Sequence, residues 1–322
     1  MVKMETNPLV VALDIGGTNS RGEVLPWAEG ALGTPIARAS LPTPAGDGDA
    51  VLATIVALVH DLLDQLDEQG REQVEAIGVG VPGIHDDETG VVRLAANLGW
   101  VNRPVARELT DALGLPVYLC HDVTAAGIGE QRLGAGCGAP DTLAVFLGTG
   151  IAATIVSNDK LIRGGMLHGA RQPAGEIGHM PIVLDGLECA CGQRGCFEMY
   201  CSARAFGRIY SEHLGVDPEG PEGKTSKDLV DALPHDPTAR EAWDLATRYL
   251  AHGLLSAATV TGPSRIVLGG GLSAAGEVLT DAVSMHLKEM AKVLQVPEVV
   301  LAELGPRAGT LGVALLTLDR LL

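Results

Sequence analysis

The chain has 322 residues and 42 glycines, a glycine share roughly twice the ~7% of an ordinary protein. No Gly-X-Y period and no long Pro/Ser/Gln tract accompanies the glycine, which excludes collagen and low-complexity disorder. Lys and Arg number 23 against 40 Asp and Glu, a net charge of −17 without any basic block. Nucleic-acid binding through phosphate neutralisation and adhesion to an anionic membrane surface are therefore not expected.

Met1–Pro8 carries Lys3 and Glu5, and the apolar run Leu9–Leu13 is too short for a secretory h-region. The longest uncharged stretch, Thr142–Asn158, is broken by glycines and threonines and is no membrane span. A cytoplasmic protein is expected. Its six cysteines then suggest metal or free thiols before disulfides.

Leu9–Leu13 reads as a strand that runs into Asp14-Ile15-Gly16-Gly17-Thr18-Asn19, with a second strand near Arg21–Leu25. Asp47–Gln69 has apolar residues at helical spacing and stops at Gly70. Ala76–Val81 is a strand closed by Pro82-Gly83. Pro104–Leu113 is a helix ended by Gly114, and Val117–Cys120 is a strand entering His121-Asp122. The pattern then begins again. Thr142–Leu147 leads into Gly148-Thr149-Gly150 with Ala152–Val156 as partner, and Arg265–Leu268 leads into Gly269-Gly270-Gly271 with a helical stretch from Ser273. Asp217–Lys227 reads as an exposed loop. Strands interleaved with helices predict an α/β architecture, with a weak internal duplication.

A strand ending in Gly-Gly-Thr presents successive backbone N–H groups that can cradle phosphate without cationic side chains. Gly16, Gly17 and Thr18, and again Gly148, Thr149 and Gly150, offer that chemistry twice. Asp14 precedes the first turn and could hold Mg²⁺ through water, although an aspartate there is equally a turn former. Asp122 ends an apolar strand and precedes the small residues Thr124-Ala125-Ala126. It is either the N-cap of a helix or a general base that takes a proton from a substrate hydroxyl.

Cys189-Ala190-Cys191-Gly192-Gln193-Arg194-Gly195-Cys196 places three thiols in a short glycine-containing loop, with His179 upstream. Three thiolates and an imidazole complete a closed tetrahedral zinc site, which reads as structural. Cys120, Cys137 and Cys201 have no partners at ligand spacing. Glu176 and Glu198 flank the cluster and would serve either as acceptors for a polyol or as solvated surface charges.

In order along nearly the whole chain, Asp14–Thr18, Val81-Pro82-Gly83, Asn97-Leu98-Gly99-Trp100, Leu147–Gly150, Ala174–His179, the cysteine cluster through Glu198 and Gly269–Leu272 resemble the ROK family of sugar kinases and repressors. The resemblance implies an α/β fold of two RNase H-like, actin/hexokinase-like lobes with a ligand cleft between them. One lobe would span residues 1–123 joined by a C-terminal helix at about 306–322, and the larger zinc-bearing lobe residues 124–305. It implies ATP-dependent phosphorylation of a hexose, glucose at the 6-hydroxyl being the first expectation and N-acetylmannosamine or N-acetylglucosamine the alternatives.

By motif position, Asp122 looks like the catalytic base. Asp14, Gly16–Asn19, Gly148–Gly150 and Gly269, Gly270, Gly271 and Leu272 look like the ATP side. Gly83, Asn97, His121, Asp122, Glu176, His179 and Glu198 look like the sugar side. His179, Cys189, Cys191 and Cys196 look like zinc ligands, and a homodimer or tetramer is implied. The family's usual Asn before the catalytic Asp is here His121, which bears on the identity of the sugar. A regulator of the same family would carry an N-terminal helix-turn-helix, for which the stretch before Gly16 leaves no room.

Overall fold

The computed structural model describes residues 7–167, 170–171 and 173–322. Met1–Thr6, most of the stretch in which no secretory signal is expected, lie outside the described residues. The chain forms two compact units. Unit 1 comprises the described residues of Met1–Gly129, Gly165–Gln172 and Pro306–Leu322; unit 2 comprises those of Glu130–Gly164 and Pro173–Gly305.

Unit 1 opens with β1 (Leu9–Ile15), β2 (Asn19–Ala28), β3 (Ala31–Leu32) and β4 (Ala37–Pro42), followed by α1 (Gly48–Leu63) and α2 (Glu68–Glu72). Then come β5 (Val74–Val81), β6 (Ile84–Asp86), β7 (Val91–Ala95), β8 (Trp100–Arg103), α3 (Val105–Leu113), β9 (Val117–His121) and the start of α4 (Asp122–Leu133). Its sheet runs β3-β2-β1-β5-β9, with β4 also on β2. The β1–β2 pair is antiparallel, whereas β1, β5 and β9 are parallel. Alternation along β1 sends Val11, Leu13 and Ile15 into the core formed with α1 and α3.

The expected single helix over 47–69 is two helices. Asp47 caps the first through the amides of Asp49 and Ala50, and the chain leaves α1 at Asp64. Asp67 then accepts from the Gly70 amide at 2.8 Å and nucleates a new short helix, so Gly70 lies within a helix rather than ending one. Leu66, between the two, still packs on the core, which is why the apolar period carried on across the break.

Unit 2 repeats the plan with β10 (Thr142–Leu147), β11 (Ile151–Ser157) and β12 (Lys160–Leu161). After the short pair β13 (Met166–Leu167) and β14 (Ala170–Arg171), which falls in unit 1, come α5 (Glu198–Cys201), α6 (Ala203–Leu214), α7 (Ser226–Ala232) and α8 (Pro237–Thr261). The chain finishes with β15 (Arg265–Gly269), α9 (Glu277–Met290), β16 (Glu298–Leu301) and, in unit 1, α10 (Ala308–Leu321). The sheet order is β12-β11-β10-β15-β16, with an antiparallel hairpin feeding parallel neighbours as in unit 1. Two units with the same strand sequence account for the duplication legible in the glycine turns. The segment expected as loop from 217 to 227 gives way to helix at Ser226, where Thr225 and Asp228 form a reciprocal capping box.

Glu130 is fully buried in unit 2, yet its carboxylate accepts from three backbone amides: Ala135 at 3.0 Å, Glu303 at 3.0 Å and Leu304 at 2.8 Å. A buried charge is tolerable only when it is satisfied in this way. Among the described residues, no helix is long and apolar enough to cross a membrane.

Candidate active site

In unit 1 the site residues gather at the carboxyl ends of the parallel strands, where side chains are free to face a ligand. The turn Gly16–Thr18 joins β1 to β2 and is closed by the Gly16 N–H donating to the Asn19 carbonyl at 3.0 Å. Gly17, Thr18 and Asn19 are exposed. Asn97 sits against this turn, its Nδ2 lying 3.7 Å from where a side chain on Gly17 would begin. Its loop is anchored by buried Trp100, whose indole donates to the Gly48 carbonyl at 2.8 Å, and by the Gly46 N–H donating to the Asn97 carbonyl. Gly83 closes β5 against the backbone of Leu94 and Ala95.

Asp14, at the end of β1, packs against Gly309 at the start of α10, where any side chain would collide with its carboxylate. Burial first, and the negative charge of Asp122 second, push the Asp14 carboxyl up to about 6, while Arg21 pulls it down. The folded state thus binds a proton on Asp14 more tightly than the unfolded chain does. Stability from this group is fully present below pH ~4 and is lost as pH rises through ~6, a cost of about 3 kcal/mol at neutral pH. Asp14→Asn is expected to raise the melting temperature of the ligand-free protein at pH 7.5 and to flatten its dependence on pH between 4 and 7. Thermal denaturation across that range measures both, and unchanged curves would refute the strained carboxylate.

Asp122 opens α4. Its Oδ1 accepts from the Val123 amide at 2.7 Å and lies 3.3 Å from His121 Nδ1. His121 in turn stacks on His85, with ring centroids 5.9 Å apart and planes 7° from parallel. The His85 side chain is buried, and its Nε2 is 3.0 Å from Asp87 Oδ1 without the angle of a hydrogen bond. His85 was not legible as a site residue: a lone histidine two positions after Pro-Gly carries no signal. The strand register, with Val81 opposite His121, is what brings the two rings together. Arg21 was also missed, although counting outward from the hairpin turn places it opposite Asp14.

In unit 2 the second glycine turn joins β10 to β11, with the Gly148 N–H donating to the Gly150 carbonyl at 3.0 Å and Thr149 exposed. Gly270 (φ 83°) lies on the backbone of Leu147, an approach that a Cβ would block, so the Gly269–Gly271 segment abuts this turn. Leu272 is 2% exposed and belongs to the core, so its backbone is the part left for a nucleotide. On the other side of the turn, Glu198 Oε2 is 2.9 Å from where a side chain on Gly150 would begin. Glu176 ends the segment that the Ala153 N–H pins through the Gly175 carbonyl at 2.8 Å, and its own carbonyl accepts from the His179 amide.

The donor atoms of His179, Cys189, Cys191 and Cys196 all lie within 4.8 Å of one another. Cys191 and Cys196 Sγ are 3.7 Å apart, and Cys189 Sγ is 3.8 Å from His179 Nδ1. Four donors about 2.3 Å from one tetrahedral centre stand roughly 3.8 Å apart, so the donor set fits zinc in both identity and spacing. The loop closes at Gly195 (φ 76°), where a side chain would strike the Val183 carbonyl. Glu198 Oε1 is 3.1 Å from Cys189 Sγ and 3.7 Å from His179 Nδ1, so the cluster borders the second glycine turn. Burial pushes the Cys189 and Cys196 thiols up, and the backbone amide of Gln193 holds Cys191 down. Cys120, Cys137 and Cys201 lie outside the cluster and form no disulfide, Cys120 and Cys201 buried and Cys137 exposed.

Comparison with known proteins matches this arrangement along its length. The ROK family model covers residues 10–320. A glucokinase of Halalkalibacterium halodurans is 33% identical over 314 residues, 94% of this chain and 92% of its own. An N-acetyl-D-glucosamine kinase of Haemophilus influenzae is 30% identical over 87% of this chain and 91% of its own. Among solved structures, a ROK family glucokinase from Streptomyces griseus, in complex with glucose and AMPPNP, is 31% identical with a TM-score of 0.77, covering 96% of this chain and 98% of that one. The α/β fold with two RNase H-like units, the glycine turns and the cysteine cluster all agree with that match: the chain belongs to the ROK family.

Proposed function

We propose that the chain is an ATP-dependent hexose kinase that phosphorylates glucose at the 6-hydroxyl. The observation that carries this is the pair of carboxylates, Asp14 and Asp122, at the ends of parallel strands beside an exposed Gly-Gly-Thr turn. The glucokinase relatives and the glucose and AMPPNP bound to the Streptomyces griseus protein support the choice of substrates.

In unit 1, Asp122 accepts the proton of the primary hydroxyl as that oxygen attacks the γ-phosphate in line, and the transferred proton resides on its carboxyl until product leaves. The amides of Gly16–Thr18 and the Thr18 hydroxyl take up charge that develops on the phosphoryl oxygens. Asn97, against the same turn, hydrogen-bonds ring hydroxyls, with Gly83 leaving room beside it. In unit 2 the amides of Gly148–Gly150 and the Thr149 hydroxyl offer phosphate oxygens the same kind of donors, and the Gly269–Gly271 backbone takes the adenosine side. Glu176, Glu198 and His179 hold the sugar hydroxyls.

Asp14 and Asn19 suit the Mg²⁺ of the nucleotide. A buried carboxyl lifted by a second carboxylate is a group that a cation would restore to its charged form, and such a cation offsets the charge of the phosphates. His179, Cys189, Cys191 and Cys196 would hold zinc, which supplies a rigid cross-link for the loop. With Nδ1 turned toward the cluster, Nε2 of His179 is left for the sugar.

A second substrate class, the 2-acetamido hexoses, is supported by the N-acetyl-D-glucosamine kinase relative, and one feature bears on the choice between the two classes. His121 stands where the family's kinases usually carry Asn, and its ring is engaged with Asp122 and His85. The test is ADP release measured on a panel of glucose, mannose, N-acetylglucosamine and N-acetylmannosamine. Glucose is expected to have the highest kcat/KM. A higher value for either N-acetylhexosamine would move the assignment to that class, and no ADP release with any sugar would overturn the kinase.

A further inference from the structure

Unit 1 contains a cationic feature that the phosphotransfer chemistry does not use. Arg21, Arg38 and Arg307 line an open cavity of about 450 Å³ together with Glu23, Ser40 and Thr310. Glu23 is 5% exposed and forms the floor. Arg307 binds it through two hydrogen bonds, Nε to Oε1 at 3.0 Å and Nη2 to Oε2 at 2.9 Å, and Arg38 Nε adds a third to Oε1 at 3.0 Å. Arg21 has no hydrogen bond or ion pair of its own among the described residues. Three guanidinium groups therefore face one carboxylate, and most of their roughly fifteen N–H donors remain for another partner.

This excess stands out on a chain of net charge −17. If the arginines served only to neutralise Glu23, one would suffice, and the other two would repel it and each other. A smaller cavity of about 270 Å³ in unit 2 also has three cations, but there Arg204 is already paired with Glu219 and Arg208 with Glu212. In the unit 1 cavity one carboxylate, Glu23, serves both Arg38 and Arg307, while Arg21 lines the same cavity.

We propose that this cavity is an anion site for a compact phosphate dianion, either inorganic phosphate or the phosphate of a sugar monoester. Planar guanidinium groups converging from β2, β4 and the turn just before α10 match tetrahedral phosphate oxygens by paired N–H donation, and Ser40 and Thr310 add hydroxyls. The site is separate from the phosphate turns, but it touches them through register: Arg21 lies opposite Asp14 in the β1–β2 pair.

Arg38→Gln is the discriminating variant, because Arg38 is exposed and its loss leaves the bidentate Arg307–Glu23 pair intact. Ser40→Glu, on the exposed side of β4, places a repelling carboxylate in the same cavity. Calorimetric titration with inorganic phosphate, and separately with glucose 6-phosphate, is made at fixed ionic strength with the kinase site saturated by glucose and a non-hydrolysable ATP analogue. Saturable binding is expected in the native protein, weakened at least about tenfold in each variant, with kcat and KM for sugar and ATP unchanged. The probe that loses more affinity in Arg38→Gln identifies the natural source. Equal affinity in native protein and both variants, or binding that vanishes once the kinase site is filled, would overturn the anion site and leave the kinase assignment untouched. Loss of kinase activity on glucose with phosphate binding intact would have the opposite meaning.

Discussion

Asp122→Asn is expected to lower kcat by about 10²–10⁴-fold while the sugar KM stays within a few-fold of native, the range that a positioned general base contributes to proton transfer. The substitution is isosteric. Asn keeps the oxygen that accepts from the Val123 amide at 2.7 Å, so α4 begins as before and loss of folding does not account for the effect. What disappears is the ability to take a proton. A second consequence follows from the coupling of the two carboxylates. With the charge at 122 gone, one of the two influences that raise the Asp14 carboxyl is removed, so residual turnover should show its acid limb at lower pH than the native enzyme. Steady-state kinetics across pH 5–8 reads both effects. Retention of more than a tenth of native kcat at pH 7.5 would remove Asp122 from the role of base.

The two histidines beside that carboxylate mark the limit of what the sequence could disclose. Asp122 was legible as a candidate because an apolar strand ran into a carboxylate and then into small residues, and the register of β9 on β5 sets His121, just before it, opposite Val81. His121 was legible as a departure, since it follows from the same motif. His85 was not, because a stack between rings 36 positions apart depends on two strand ends meeting, which periodicity does not encode. The glycine turns were legible since each follows a buried strand, and their equivalence appears in the matching sheet orders of the two units. A motif position says nothing of side-chain direction, so the sequence does not disclose that the Leu272 side chain is drawn into the core. The break between α1 and α2 was hidden for a similar reason. Leu66 keeps the apolar period, while the cap that starts the second helix rests on one hydrogen bond from Gly70 to Asp67.

Disruption of the cysteine cluster should have the other large effect, and should fall on the sugar rather than the nucleotide. Purified protein is expected to carry about one zinc per chain, and Cys196→Ser to carry almost none. Cys196 is the fully buried ligand and lies between the loop and α5, which begins two residues later at Glu198. Loss of the cross-link frees His179 and Glu198 together, because Glu198 Oε1 is held 3.1 Å from Cys189 Sγ and 3.7 Å from His179 Nδ1. Groups that act through a ligand's orientation commonly change function by about 10–100-fold when removed, and a rise of that size in the sugar KM is expected here. The KM for ATP should move much less, since the turn at Gly148–Gly150 is closed by its own backbone hydrogen bond and the Gly270 contact is with the Leu147 backbone. Glu198→Gln separates the two roles. It leaves all four donor atoms in place, so zinc content should remain native while the sugar KM rises. Zinc-free Cys196→Ser protein with native sugar affinity would show that the cluster does not position the sugar contacts, and a zinc content near zero in the native protein would show that these four side chains do not hold the metal at all.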